Sequence, residues 1–127
     1  MKRIIFSVLF SLVLLTSCGG GEETASYRQI SQEEAKEIMD TQEVIILDVR
    51  EQDEYDRGHI PGATLLPVGT IDEDTAAAVI PEKDSTVLVY CRSGNRNKTA
   101  SATLAGLGYT EIYEFGGIKT WPYETEP

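Results

Sequence analysis

The chain has 127 residues and a formal net charge of −10 at pH 7, with 21 acidic against 11 basic side chains. This balance argues against nucleic acid as a partner, because binding to phosphate backbones needs basic patches. A single histidine, two cysteines and scattered carboxylates do not make a metal-site pattern, and the sequence has no glycine-rich nucleotide loop. We therefore expect neither a metal nor a cofactor.

The amino-terminal segment has the order of a secretory signal. Lys2 and Arg3 precede an apolar run from Ile4 to Leu15. The run is shorter than the roughly 20 residues that a membrane-spanning helix needs. It is therefore expected to direct export.

The end of this run carries a lipidation motif. Leu15-Thr16-Ser17-Cys18 resembles the bacterial lipobox, in which the cysteine becomes the lipid-modified first residue of the mature protein. The alternatives are an ordinary signal peptide and an uncleaved anchor with an incidental cysteine. We expect an extracytoplasmic protein that is anchored to a bacterial membrane through lipid on Cys18. The expected organisation is a lipoprotein signal peptide over 1–17, a lipidated flexible tether over 18–27 and a folded domain over 28–127.

Helices and strands are predicted to alternate along this domain. Ser31 and Glu34 form a capping-box pattern at the start of the first helix. Two β-branched runs, at 44–47 and 86–90, are typical of strands buried on both faces. This order predicts an α/β domain with a mostly parallel sheet, in which ligands bind at the carboxyl ends of strands. In chain order the predicted elements are a strand at 27–30, a helix at 32–40, a strand at 44–47, a helix at 51–57, a strand at 63–66, a helix at 71–79, a strand at 86–90, a helix at 97–107, a strand at 111–115 and a short helix near Trp121.

The second buried strand leads directly into Cys91 and a polar loop that ends at Arg96. Gly94 and Asn95 tolerate positive φ, so the loop can curl and point its N–H groups inward as an anion-binding nest. The amino end of the next helix points at the same place, and Arg92 and Arg96 can add charge. These surroundings favour the thiolate of Cys91, which is a nucleophile without a separate general base.

Cys91 is expected to be a lone thiol. Two cysteines outside the cytoplasm suggest a disulfide, but lipid on Cys18 would leave Cys91 without a partner. A lone extracytoplasmic thiol is either buried and inert or chemically used.

Four motifs occur in order along the folded domain. They are Leu47-Asp48-Val49-Arg50 followed by Glu54-Tyr55, Gly58-His59-Ile60-Pro61-Gly62-Ala63, Tyr90-Cys91-Arg92-Ser93-Gly94-Asn95-Arg96, and Gly108-Tyr109 with Gly116-Gly117-Ile118 and Trp121. Taken together, these motifs resemble the single-domain rhodanese family over about residues 28–122. The resemblance implies a rhodanese-like α/β fold, with a mostly parallel central sheet of about five strands flanked by helices. It also implies sulfurtransferase activity.

The resemblance implies a two-step sulfur transfer on a monomer. Cys91 takes the outer sulfur of a small anionic donor such as thiosulfate and then gives it to cyanide or a thiol. Arg92 and Arg96 are expected to bind the donor. The backbone of Ser93, Gly94 and Asn95 is expected to cradle the sulfur.

Loop length separates this pattern from protein phosphatases of related architecture and from arsenate reductases. Four residues lie between Cys91 and Arg96, whereas the phosphatase loop is longer. The resemblance therefore favours a ring that fits a sulfur atom rather than a tetrahedral oxyanion.

Asp48 and Arg50, at the end of the first buried strand, are expected to support the site. They either form a structural ion pair or loop cap, or order the cysteine loop. His59, the only histidine, could act as a base, but the resemblance implies a packing and hydrogen-bonding residue. A non-catalytic or redox-sensing rhodanese-like binding module is the alternative to the enzyme, with oxidation of Cys91 as the sensing chemistry.

Overall fold

Five strands and four α-helices alternate in the computed structural model, which describes residues 26–127. The expected signal peptide, the tether up to residue 25 and Cys18 lie outside the described residues. The strands are β1 Arg28–Gln29, β2 Ile45–Asp48, β3 Thr64–Leu65, β4 Thr86–Cys91 and β5 Glu111–Gly117. The helices are α1 Gln32–Thr41, α2 Gln52–Arg57, α3 Glu73–Val79 and α4 Arg96–Gly106, with 3-10 turns at Val68–Thr70 and Ile118–Thr120.

The strands form one sheet in the order β1-β5-β4-β2-β3. Every neighbouring pair is parallel, and β4 lies at the centre between β2 and β5. The predicted α/β class with a parallel sheet of about five strands flanked by helices is confirmed. The central position of β4 brings its carboxyl end, and hence the predicted loop, between two neighbouring strand ends.

Side chains of β4 alternate between two hydrophobic clusters. Val87, Val89 and Cys91 belong to the cluster that α3 and α4 cover. Leu88 and Tyr90 belong to the cluster on the opposite face, which α1 and the carboxy-terminal segment cover. Because strand side chains alternate with a period of two, this buries β4 on both faces, as its continuous apolar run predicts. It also directs Cys91 toward α4.

The last strand is longer than its sequence pattern predicts. The predicted end was Phe115, whereas β5 continues to Gly117 and pairs Gly117 with Cys91 after an irregularity in the ladder. The two glycines lack the side-chain pattern of a strand, so the prediction was wrong by two residues. The extension matters because it lays the end of β5 against the cysteine loop.

Helix starts follow local capping. The Ser31 hydroxyl accepts the Glu34 N–H at 3.0 Å, as the capping pattern predicts for α1. Helix α3 begins two residues later than predicted, because the Asp72 carboxylate accepts the Thr75 N–H at 2.8 Å and caps the helix there. Among the helices of residues 26–127, none has the length and apolar character needed to cross a bilayer.

Candidate active site

The loop after β4 closes around the sulfur of Cys91. This side chain is 1% exposed, and its Sγ accepts the Gly94 N–H at 3.1 Å. Gly94 has φ of +101°, which glycine adopts without steric cost, whereas Asn95 has φ of −105°. The predicted curl therefore depends on Gly94 alone. Asn95 does not cap α4 with its side chain, so first-turn N–H groups of this helix remain available for an anion.

The end of β5 supports the loop from one side. The Lys119 N–H donates to the Arg92 carbonyl at 3.1 Å. Gly117 passes so close that a Cβ on it would lie 2.0 Å from the same carbonyl oxygen. Only glycine fits at this crossing, so the loop conformation is fixed by β5 as well as by its own residues.

Behind the sulfur lies a polar network that sequence reasoning missed. The Cys91 thiol donates to the Asn97 Oδ1 at 3.3 Å. The Asn97 Nδ2 donates to Glu114 Oε2, which also accepts the Gly116 N–H at 2.9 Å. Asn97 and Glu114 are both fully buried. A signal existed, since period-two alternation from Ile112 puts Glu114 at a core position of β5, where a lone acid is unusual.

Arg96 is held by a carboxylate. Its two terminal nitrogens donate to the Glu54 oxygens at 2.6 and 2.9 Å. This hydrogen-bonded contact lowers the pKa of Glu54 to about 2. It also raises the pKa of Arg96, to which the charge of Cys91 contributes. Arg96 therefore lies close enough to Cys91 to interact with it electrostatically. The two terminal nitrogens of Arg96, however, are already hydrogen-bonded to Glu54.

Asp48 and Arg50 form a buried ion pair. The Arg50 Nη2 donates to Asp48 Oδ2 at 2.6 Å and to the Gly58 carbonyl at 2.7 Å. Asp48 Oδ2 also accepts the Tyr90 hydroxyl at 2.7 Å. Burial and then this hydrogen bond raise the pKa of Tyr90. The contacts of Asp48 go to Arg50 and Tyr90, which favours the structural interpretation of the pair over direct ordering of the cysteine loop.

A cleft of about 610 Å³ opens beside the loop. Arg57, Arg92 and Lys119 line it, and all three side chains are exposed. Glu54 also lines it, already bound to Arg96. A chain that is acidic overall thus presents mainly positive charge at this place.

His59 lies away from the sulfur. Its ring stacks on Tyr55 with centroids 3.8 Å apart, and its Nδ1 lies 3.0 Å from the Tyr55 carbonyl oxygen. Its Nε2 lies 3.6 Å from Glu126. These contacts agree with a packing and hydrogen-bonding role.

Comparisons with known proteins agree with this architecture. The family model described as rhodanese-like domain matches residues 31–123. The thiosulfate sulfurtransferase GlpE of Coxiella burnetii is 36% identical over 96 residues, which cover 75% of this chain and 87% of that protein. The thiosulfate sulfurtransferase PspE of Escherichia coli is 38% identical over 73 residues, which cover 58% and 69%. A solved structure described as a rhodanese with anions from E. coli superposes with a TM-score of 0.62 and 30% identity, covering 66% of this chain and 98% of that chain. The chain therefore belongs to the rhodanese-like family.

Proposed function

We propose that this chain is a sulfurtransferase that moves a sulfane sulfur from a donor such as thiosulfate to a thiol or cyanide through a persulfide on Cys91. The observation that carries the proposal is the single sulfur held in a curled loop between Gly94 N–H and the amino end of α4. Two relatives are named thiosulfate sulfurtransferases, and this supports the choice of donor.

The proposed chemistry needs only the sulfur of Cys91. Its thiolate attacks the outer sulfur of thiosulfate, the S–S bond of the donor breaks, and sulfite leaves with the bonding electrons. The acceptor then attacks the outer sulfur of the persulfide, and the electrons of the broken bond return to Cys91. Because Cys91 is 1% exposed, the added S–S bond of about 2.05 Å brings the transferable sulfur nearer to the acceptor than the thiol itself.

The charge around the loop suits an anionic donor. Arg92 and Lys119 line the adjacent cleft, and the uncapped first turn of α4 supplies N–H groups. The similar E. coli structure is described as a rhodanese with anions, which supports an anionic ligand for this chain. Arg96 is proposed to act in part through its charge, since its terminal N–H groups are hydrogen-bonded to Glu54.

The test is thiocyanate formation from thiosulfate and cyanide by the full chain purified in detergent, together with intact mass after thiosulfate alone. We expect turnover and the gain of one sulfur atom. Cys91→Ser should lose both, while Lys98→Gln, an exposed change on α4, should keep both. A wild-type protein with no turnover and no sulfur adduct would contradict the proposal. An adduct after peroxide but none after thiosulfate would favour the redox-sensing alternative.

We further propose that the domain is tethered outside the cytoplasm through lipid on Cys18. The support is the order of signal residues and lipobox at 1–18. Palmitate labelling of the full chain in a bacterial host is expected for wild type and for Cys91→Ser, and should be lost in Cys18→Ala. A label that remains in Cys18→Ala would exclude this anchor.

A further inference from the structure

Glu114 is a buried acid that the transfer chemistry described above does not use. It is fully buried on β5, and its Oε1 has no hydrogen-bond partner among residues 26–127. The ion pairs found in that part of the chain do not include it. A buried carboxyl that lacks a cation carries a large desolvation cost, so its presence calls for a specific role.

The contacts of Glu114 fix the orientation of an amide. Its Oε2 accepts two hydrogen bonds, one from the Gly116 N–H and one from the Asn97 Nδ2. The Asn97 Nδ2 must face this oxygen, because an amide oxygen there would oppose another acceptor. The Asn97 Oδ1 is consequently turned toward Cys91 Sγ, at 3.3 Å.

This orientation stabilises the protonated form of the sulfur. A carbonyl oxygen accepts the S–H of a thiol but repels the lone pairs of a thiolate, so it opposes ionisation. The Gly94 N–H on the same sulfur acts in the opposite direction. The sequence-based expectation that the surroundings uniformly favour the thiolate is therefore incomplete, because Asn97 opposes it.

Two of the charged groups near the sulfur are already paired with a partner of opposite charge. Arg96 on α4 interacts with the charge of Cys91, but its own charge is compensated by Glu54. Asp48, which reaches Tyr90 from the end of β2, is likewise paired with Arg50. Arg92 and Lys119 in the adjacent cleft and the amino end of α4 act with the Gly94 N–H in favour of the thiolate. Of the two hydrogen bonds to Sγ among residues 26–127, only the one with Asn97 favours the thiol.

We propose that Glu114 is a positioning residue that, through Asn97, holds resting Cys91 as a hydrogen-bonded thiol. The inference deepens the proposed sulfur transfer and rests on it for its biological meaning. A thiol reacts with oxidants and alkylating agents more slowly than a thiolate, so the pair would restrain side reactions of the resting cysteine. Sulfur transfer would then start from the fraction of Cys91 that has lost its proton to solvent.

The test compares the rate of Cys91 alkylation by iodoacetamide at about pH 6 and about pH 9, a range across which cysteines normally ionise. The full chain is used in detergent, and the Cys91 peptide is followed by mass spectrometry so that Cys18 does not interfere. Glu114→Leu removes the carboxyl group and both of its acceptor oxygens. Glu114→Gln replaces the carboxyl by an amide and keeps one acceptor oxygen for Asn97.

We expect Glu114→Leu to react about tenfold faster than Glu114→Gln at the lower pH, because the freed amide of Asn97 can turn its N–H to the sulfur. The difference between the two rates should shrink at the higher pH, because alkylation then depends less on how each variant stabilises the thiol. Asn97→Ala, which removes the carbonyl without supplying an N–H, should shift the rate at the lower pH in the same direction by a smaller factor, and it replaces Glu114→Leu if that variant does not fold.

Equal alkylation rates of the Leu and Gln variants at both pH values, with intact circular dichroism spectra, would overturn the inference. So would an Asn97→Ala variant with the wild-type profile. Alkylation does not depend on sulfur transfer. A wild-type protein that fails to form a persulfide, yet shows this pattern, would refute the proposed function and leave the positioning role standing.

Discussion

Gly117 offers the most direct test of how the fold shapes the cysteine loop. A Cβ at this position would lie 2.0 Å from the Arg92 carbonyl oxygen, 2.3 Å from its carbon and 2.7 Å from the Ser93 nitrogen. The backbone of Gly117 is extended, with φ of −136° and ψ of 157°, a conformation open to alanine. Replacing Gly117 by alanine therefore acts through contact with the loop and not through backbone strain.

The size of the effect follows from these distances. Close carbon–oxygen contacts in proteins lie near about 3.3 Å, so the loop and β5 must separate by more than about 1 Å. A displacement of about 1 Å at a catalytic group can cost roughly 100-fold in rate. Overpacking of a core also destabilises by about 1–3 kcal/mol. We expect Gly117→Ala to fold with a lowered Tm and to lose about 100-fold in kcat/KM.

The assay is thiocyanate formation from thiosulfate and cyanide, with thermal unfolding measured on the same samples. Gly106→Ala is the matched control, because a Cβ there meets nothing within 4 Å and the residue lies in α4. This control should keep activity and gain up to about 1 kcal/mol from helix propensity. Wild-type kcat/KM in Gly117→Ala would refute the idea that β5 fixes the loop.

Two further predictions concern groups around the loop. Tyr90→Phe removes the hydroxyl that donates to Asp48 and accepts the Ile60 N–H, and both of these partners are buried. Urea unfolding should therefore show a free energy of unfolding that is lower by about 1–3 kcal/mol. An unchanged free energy of unfolding would contradict this prediction. Arg96 lowers the pKa of Glu54 from 4.5 to about 2, so the pair stabilises the fold above about pH 4.5 and its contribution fades as the pH falls toward 2. Because the pair is partly exposed, Glu54→Gln should cost about 1 kcal/mol near pH 7 and less near pH 2; a cost independent of pH would argue against the ion pair.

The parts of the fold that follow from local patterns could be predicted from the sequence. The apolar runs at 44–47 and 86–90 indicate buried strands, and both form neighbouring central strands of the sheet. The Ser31 cap predicts the first residue of α1 correctly, since the helix begins at Gln32. The position of Cys91 at a strand end, before a loop and a helix, also depends only on residues close in sequence.

Contacts between distant residues could not be predicted in the same way. Glu54 and Arg96 are separated by 42 positions, and no local pattern indicates which carboxylate an arginine will meet. The extension of β5 to Gly117 likewise depends on pairing with Cys91, not on strand propensity. Glu114 was overlooked because a charged residue in a strand is usually read as solvent-facing, while its burial depends on α4 packing above it.

These long-range contacts change how the two loop arginines are understood. From sequence, Arg92 and Arg96 are equivalent candidates for binding an anionic donor. In the fold, Arg96 is fixed by Glu54 and braces the start of α4 against α2, whereas the side chain of Arg92 is exposed and lines the basic cleft with Lys119. A charge that is already compensated attracts an incoming anion less than an uncompensated one. In the proposed sulfur transfer, donor affinity is therefore expected to depend mainly on Arg92 and Lys119, whereas Arg96 is expected chiefly to hold the loop around Cys91.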